Sequence, residues 1–327
     1  MHEPREACNV LLTICSDCKK EEKILIVTDT QSFQIAEELW KAAEEYPNKT
    51  LAMMDTKTMH GQEPSELIAA AMEAADVIFG ATTYSLFHTN ARRNATGNGA
   101  RFVNMVDYTM SMLQMGGLYA DIVAQGKVND IVAENMVGSE IHLTAPNGTD
   151  LHAVIKGRPT SPQYARSLKA GMASSPPNVE CAIAPIEETS NGVAVIDGSI
   201  PHPELGLIQA PIRITVKNGK IVEINGGEQA GILNKVMAGF EDPNAYWLGE
   251  IGVGMNPLCT LNGRMLEDEG AYGTVHLGFG SNISFGGIVQ SACHLDMVIK
   301  NPTLTVDGHD VVKAGIVIGD ETPPKKN

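Results

Sequence analysis

The chain has 327 residues, of which 24 are basic and 39 acidic, for a net charge of −15. Hydrophobic residues make up 43% and charged residues 19%, a composition that supports a packed core and excludes global disorder. An acidic chain with no basic run is poorly suited to nucleic acid or an anionic membrane surface, and no apolar stretch approaches the roughly 20 residues of a membrane-crossing helix. Six cysteines do not make a disulfide scaffold, and the first residues lack the pattern of a signal peptide. The expectation is a cytoplasmic protein that acts on a small molecule or short peptide, with neither nucleic acid nor membrane as partner.

At roughly 150 residues per domain the length allows about two domains. In chain order, Ile24–Thr28 reads as a buried strand. Ile35, Ala36, Leu39, Trp40 and Ala43 then recur at helical spacing. Residues 51–55 return to strand, Pro64 suits the start of a helix over Ser65–Ala75, and Asp76–Phe79 is strand again. This alternation predicts a parallel sheet covered by helices. Arg101–Val106 adds a strand, followed by a Met-rich helix around Tyr108–Leu118. The first strand-to-helix turn reads Thr-Asp-Thr-Gln-Ser and carries no glycine fingerprint, so a dinucleotide site of the usual kind is not expected. Gly252/Gly254 and Gly278/Gly280 lie in strand-like runs that open no helix, and as nucleotide signals they are weak.

The texture changes near residue 140. Asn147-Gly148, Asn191-Gly192, Asn218-Gly219 and Asp307-Gly308 are hairpin signals between short apolar runs. Ala210–Val216, Gly219–Ile224, Thr274–Phe279 and Leu304–Val306 read as strands, and Glu228–Ala238 as a helix. The predicted architecture is α/β: a parallel-sheet domain over residues 1–145, a β-rich metal-binding domain over 146–320, and a disordered tail over 321–327.

Side chains with metal-ligating chemistry gather in the last third. His294 and Asp296 stand two apart, which on a strand turns both to one face. His276 lies in another strand-like run, and Glu250 and Glu180 each lead apolar runs where a buried carboxylate needs a partner. A His-x-Asp pair also arises by chance, and most acids are solvated. Cys15-Ser-Asp-Cys18 is a further candidate for metal or redox chemistry, a weak one because it precedes the first strand and has no second pair.

Taken in order, Gly249-Glu-Ile-Gly-Val-Gly-Met-Asn-Pro257, Asp268-Glu-Gly-Ala-Tyr-Gly-Thr-Val-His276, Gly286-Gly287 and His294-Leu-Asp296 resemble the metal-binding half of the aminopeptidase T (thermophilic leucyl aminopeptidase) metallopeptidases. The resemblance implies that Glu180, Glu250, His276, His294 and Asp296 are metal ligands. Two features depart from that family. Ile283 stands where those enzymes carry a catalytic Tyr, and the chain is shorter. Its length, and the segment His88-Thr-Asn-Ala-Arg92, are closer to a sister branch that shares the fold, the 2,5-dihydroxypyridine 5,6-dioxygenases. That branch holds one Fe(II) through two His and one Asp, and Glu250 stands where it carries a His.

Three readings follow. The preferred one is a metal-dependent hydrolase similar to leucyl aminopeptidase, using Zn, Co or Mn, with Glu180 as general base and a metal-activated water attacking an amide carbonyl. The alternative is an Fe(II)-dependent ring-cleaving dioxygenase, with His88 as base or substrate contact and Arg92 binding a substrate carboxylate. The third is a non-catalytic protein that kept the fold, which five retained ligand candidates argue against. Relatives oligomerise, so at least a homodimer is expected, with the site between the domains.

Overall fold

The computed structural model describes residues 1–321 of the chain. The tail expected over 321–327 therefore lies, but for its first residue, outside the described residues. The chain forms two compact units: Met1–Val123 with Gln163–Pro177, and Ala124–Pro162 with the residues from Asn178 onward.

The first unit is built on a five-stranded parallel sheet in the order Lys49–Met54, Ile24–Asp29, Val77–Ala81, Arg101–Asn104, Ala173–Ser174. Ile24–Asp29 and Val77–Ala81 are buried along their whole length, as expected of central parallel strands covered on both faces. The predicted helices form as Phe33–Ala42 and Glu66–Ala74. The first buries Ile35, Ala36, Leu39 and Ala42. The second is capped by Ser65, whose hydroxyl accepts from the Ile68 amide at 3.4 Å. The Met-rich helix is shorter than predicted, Met110–Gln114. Four α-helices of the described residues have no counterpart in the sequence reading: Pro4–Val10 and Asn90–Gly97 in this unit, Ile122–Asn135, which lies mostly in the second unit, and the short Met265–Asp268.

The second unit carries an eight-stranded sheet in the order Lys220–Asn225, Ile212–Lys217, Asn191–Ile196, Asp150–Val154, Glu140–Thr144, Thr303–Val306, His309–Lys313, Ile316–Val317. Its neighbours pair antiparallel. The Asn218-Gly219 turn joins two of these strands, with both residues at positive φ (49° and 78°), as a tight hairpin turn demands. A second sheet runs His294–Ile299, Val275–Gly280, Leu248–Gly254, Val179–Ile183, Thr160–Tyr164. The first four of these strands are antiparallel to one another and almost wholly buried. The predicted α/β class, with a parallel-sheet part and an antiparallel β-rich part, is the observed one.

Candidate metal centre

All five predicted ligands of the C-terminal half come from this second sheet. The cross-strand register explains how they meet. Glu180 lies opposite Gly254, Glu250 opposite Gly278, and His276 opposite Gly252. Asp296 lies opposite Gly278 from the other side, and His294 opposite Gly280. Each ionisable side chain thus has a glycine as its neighbour across the ladder. In an antiparallel pair the facing Cβ atoms stand about 5 Å apart, so a glycine there vacates the space a side chain leans into. Any Cβ on Gly252 would fall 2.1 Å from His276 Nε2. One on Gly278 would sit 2.9 Å from Asp296 Oδ1, the Glu250 Cβ and His294 Cε1 together. Gly252 and Gly278, one from each Gly-x-Gly pair, leave open the space this cluster occupies. A register irregularity between Leu248 and Glu250 sets the phase of the Glu250 strand.

The resulting geometry is two linked trios. His276 Nε2 lies 3.3 Å from Glu180 Oε2 and 3.5 Å from Glu250 Oε1. His294 Nε2 lies 2.7 Å from Glu250 Oε2 and 3.4 Å from Asp296 Oδ1. Within each trio the donor atoms lie within 4.8 Å of one another. Glu250 belongs to both. The Nδ1 of His294 is hydrogen-bonded to the Ser281 carbonyl at 2.9 Å, which orients the ring and presents Nε2 to the carboxylates. Glu250 and His276 are only 2% and 1% exposed, whereas His294 reaches solvent, so the cluster opens on its His294 side. Phe285 stacks on that ring with centroids 5.8 Å apart.

A fourth acid escaped the sequence reading. Glu269 follows the short helix Met265–Asp268, and Asn178 Nδ2 donates to its Oε2 at 3.0 Å. It is also hydrogen-bonded to Asp296. Glu267, Asp268 and Glu269 look alike in sequence. The first accepts from the Thr260 amide, the second from the Asn262 and Gly263 amides, and only the third turns to the cluster. The one hint was its place in the Asp268-Glu-Gly motif.

Electrostatics divide the acids into two kinds. Burial raises Glu180 to about 7, against the pull of His276, and holds Glu269 well above the usual carboxylate range, with Asp296, Glu180 and Glu250 adding repulsion. Burial acts the same way on Glu250 and Asp296, but the two imidazoles outweigh it and keep both low. Desolvation disfavours imidazolium at His276 and His294, yet the surrounding carboxylates raise both. Glu180 Oε2 and Asp296 Oδ1 are buried and make no hydrogen bond. Two buried carboxylate oxygens without a hydrogen bond, imidazole nitrogens within 3.5 Å and a glycine gap beside them suit a divalent cation.

His88 and Arg92 belong to the first unit. His88 is exposed and meets the Phe87 ring edge-on at 5.2 Å. Arg92 is half-buried, and its Nε donates to the Phe87 carbonyl at 2.6 Å. No helix of the described residues is long and apolar enough to cross a membrane.

The family described as NicX, 2,5-dihydroxypyridine 5,6-dioxygenase, matches residues 5–319. The chain belongs to that family. Among its relatives is the 2,5-dihydroxypyridine 5,6-dioxygenase of Pseudomonas putida, 26% identical over 263 residues that cover 77% of this chain and 73% of that protein. The solved structure of the 2,5-dihydroxypyridine dioxygenase from Pseudomonas putida KT2440 superposes with a TM-score of 0.81 at 21% identity, over 97% of each chain. Aminopeptidase T from Thermus thermophilus superposes at 0.67 with 13% identity, over 96% of this chain and 98% of that one.

Family membership corrects the preferred reading of the sequence. The hydrolase and aminopeptidase assignment gives way to the dioxygenase alternative. The physical reason is that what this chain shares with aminopeptidase T, at 13% identity, is the fold, and a fold does not fix the reaction it hosts. Ile283, where the sequence departs from the aminopeptidase pattern, is exposed.

Proposed function

We propose that this protein is a metal-dependent dioxygenase that opens a dihydroxylated pyridine ring, with 2,5-dihydroxypyridine as the first candidate substrate. Glu250, His294 and Asp296 would hold the ion, and iron(II) is the metal this reading calls for. The observation that carries the proposal is that trio, set over the Gly278 gap in a chain of the NicX family. The donor set is richer in carboxylate than the two-His, one-carboxylate pattern of non-haem iron oxygenases, because Glu250 replaces a His. An added negative ligand favours a hard divalent ion and offsets more of its charge.

Iron(II) bound in this set would supply open coordination positions and a redox-active centre through which electrons pass from the ring to dioxygen. The chain's own residues do the rest. His294, held by the Ser281 carbonyl, keeps Nε2 aimed at Glu250 and Asp296. Glu269, itself held by Asn178, is hydrogen-bonded to Asp296. The Glu180–His276 pair, on the other side of Glu250, takes up the proton that a ring hydroxyl releases on binding. Glu180 suits that role because burial brings its carboxyl to about 7, where it exchanges protons readily.

The test is anaerobic purification with elemental analysis, followed by oxygen-uptake assays on hydroxylated pyridines. Stoichiometric iron and consumption of both oxygen and the pyridine chromophore are expected. Asp296→Ala should lose the iron and the oxygen uptake together. An iron-loaded protein that consumes no oxygen with any dihydroxypyridine would overturn the reading.

A further inference from the structure

We propose a second metal site on the exposed face of the eight-stranded sheet, formed by His142, Asp150 and His152. It is separate from the buried cluster in position and in donor chemistry, and it does not depend on the function proposed above.

The site follows from strand geometry. Glu140–Thr144 and Asp150–Val154 pair antiparallel, with His142 directly opposite His152. Residues two apart on a strand share a face, so Asp150 stands beside His152. The alternate positions Ile141, Leu143, Leu151 and Ala153 are buried, which fixes the backbone and leaves the two imidazoles and the carboxylate on the solvent side.

The rings lie nearly parallel, 3.9 Å between centroids and 11° apart. Both turn Nε2 toward one carboxylate oxygen. His142 Nε2 is 2.9 Å from Asp150 Oδ1, and His152 Nε2 is 3.6 Å from it. Ligands about 2.0–2.1 Å from a tetrahedral ion stand about 3.3 Å from one another. The two observed separations bracket that value. The three donor atoms lie within 4.8 Å of one another, and an ion would draw them together by turning the two stacked rings about their side-chain torsions.

The chemistry differs from that of the buried centre. Two imidazoles and one carboxylate suit the borderline ions Zn(II), Cu(II) and Ni(II), whereas the buried cluster is dominated by carboxylates. An ion here would tie the two strands across the Asn147-Gly148 turn and act as a clip on that hairpin.

The probe is Cu(II), added to the full-length protein already loaded with its buried metal and followed by electron paramagnetic resonance. The wild type should take up a single further ion with nitrogen coupling from two imidazoles. His142→Ala and His152→Ala should each abolish that signal, and Asp150→Asn should weaken it. The side chains are on the exposed face, so circular dichroism and the buried metal content should stay unchanged in these variants. Absence of uptake by the wild type, or an unaltered spectrum in both histidine variants, overturns the proposal.

Discussion

Gly278 shows how much of the metal centre depends on an atom that is missing. Glu250 and Asp296 face it from two strands, and a methyl there would collide with three of the site's atoms at 2.9 Å. Gly278→Ala should therefore keep the fold and lose metal affinity by about 10–100-fold, the range seen when the surroundings of a ligand are disturbed. A metal titration beside a circular dichroism spectrum checks this, and unchanged affinity would show that the gap has no role. Glu269 is a parallel case among charged residues. Glu269→Gln keeps an acceptor for Asn178 Nδ2 and removes a carboxyl from a cluster of four, so it should be tolerated better than Glu269→Ala, which removes that acceptor. Thermal melts of the two variants distinguish them.

At the scale of elements, the segment after Val275–Gly280 is clamped rather than loose. Glu187 accepts from Asn282 Nδ2 at 2.9 Å and from the Ile288 amide at 3.0 Å, and it pairs with Arg158, which also donates to the Gly286 carbonyl. Burial would raise this carboxyl, but the bonds from Ile288 and Asn282 and the Arg158 charge override it and lower it. The sign of the pH effect follows. A depressed folded-state value contributes stability above the unfolded-state value, near 4.3 for Glu, and loses it as pH falls through the folded-state value. Glu187→Gln should thus be less stable than wild type at neutral pH, by about 1–3 kcal/mol, with the gap closing below about pH 4. Denaturation midpoints at two pH values measure it, and a gap that persists in acid would falsify the account. On the first unit, Thr89 caps Asn90–Gly97 by accepting from the Arg92 amide at 3.1 Å. Thr89→Ala should cost about 1 kcal/mol, read as a shifted denaturation midpoint.

For the whole molecule, the buried cluster sets four carboxylates against two imidazoles in a site from which water is largely excluded. An ion that binds only the folded state stabilises it by mass action, about 2.7 kcal/mol at a hundred times its dissociation constant. Chelation should lower the melting temperature, and restored iron(II) should raise it again. A melting temperature indifferent to chelation would mean that the cluster holds no ion of consequence. The family match extends over residues 5–319 and thus over both units, so neither unit is an appendage added to an unrelated protein.

The sequence by itself determined the class of fold, because its periodicities are local and strong. Ile24–Asp29, Val77–Ala81 and the helices between them follow from apolar spacing, and the Asn-Gly and Asp-Gly turns mark the antiparallel half. It also singled out Glu180, Glu250, His276, His294 and Asp296, since acids and histidines inside apolar strands are out of place without partners. What it did not carry was the register. That Gly252, Gly254, Gly278 and Gly280 stand opposite those side chains is a relation between strands far apart in the chain, and a glycine's role there is to be absent. Asn90–Gly97, whose interior is mostly polar and which leans on its Thr89 cap, and Ala173–Ser174, only two residues long, have too little periodicity to be seen locally. Tertiary structure likewise decided which of three consecutive acids, Glu267, Asp268 and Glu269, joins the cluster, because orientation after a short helix is fixed by packing.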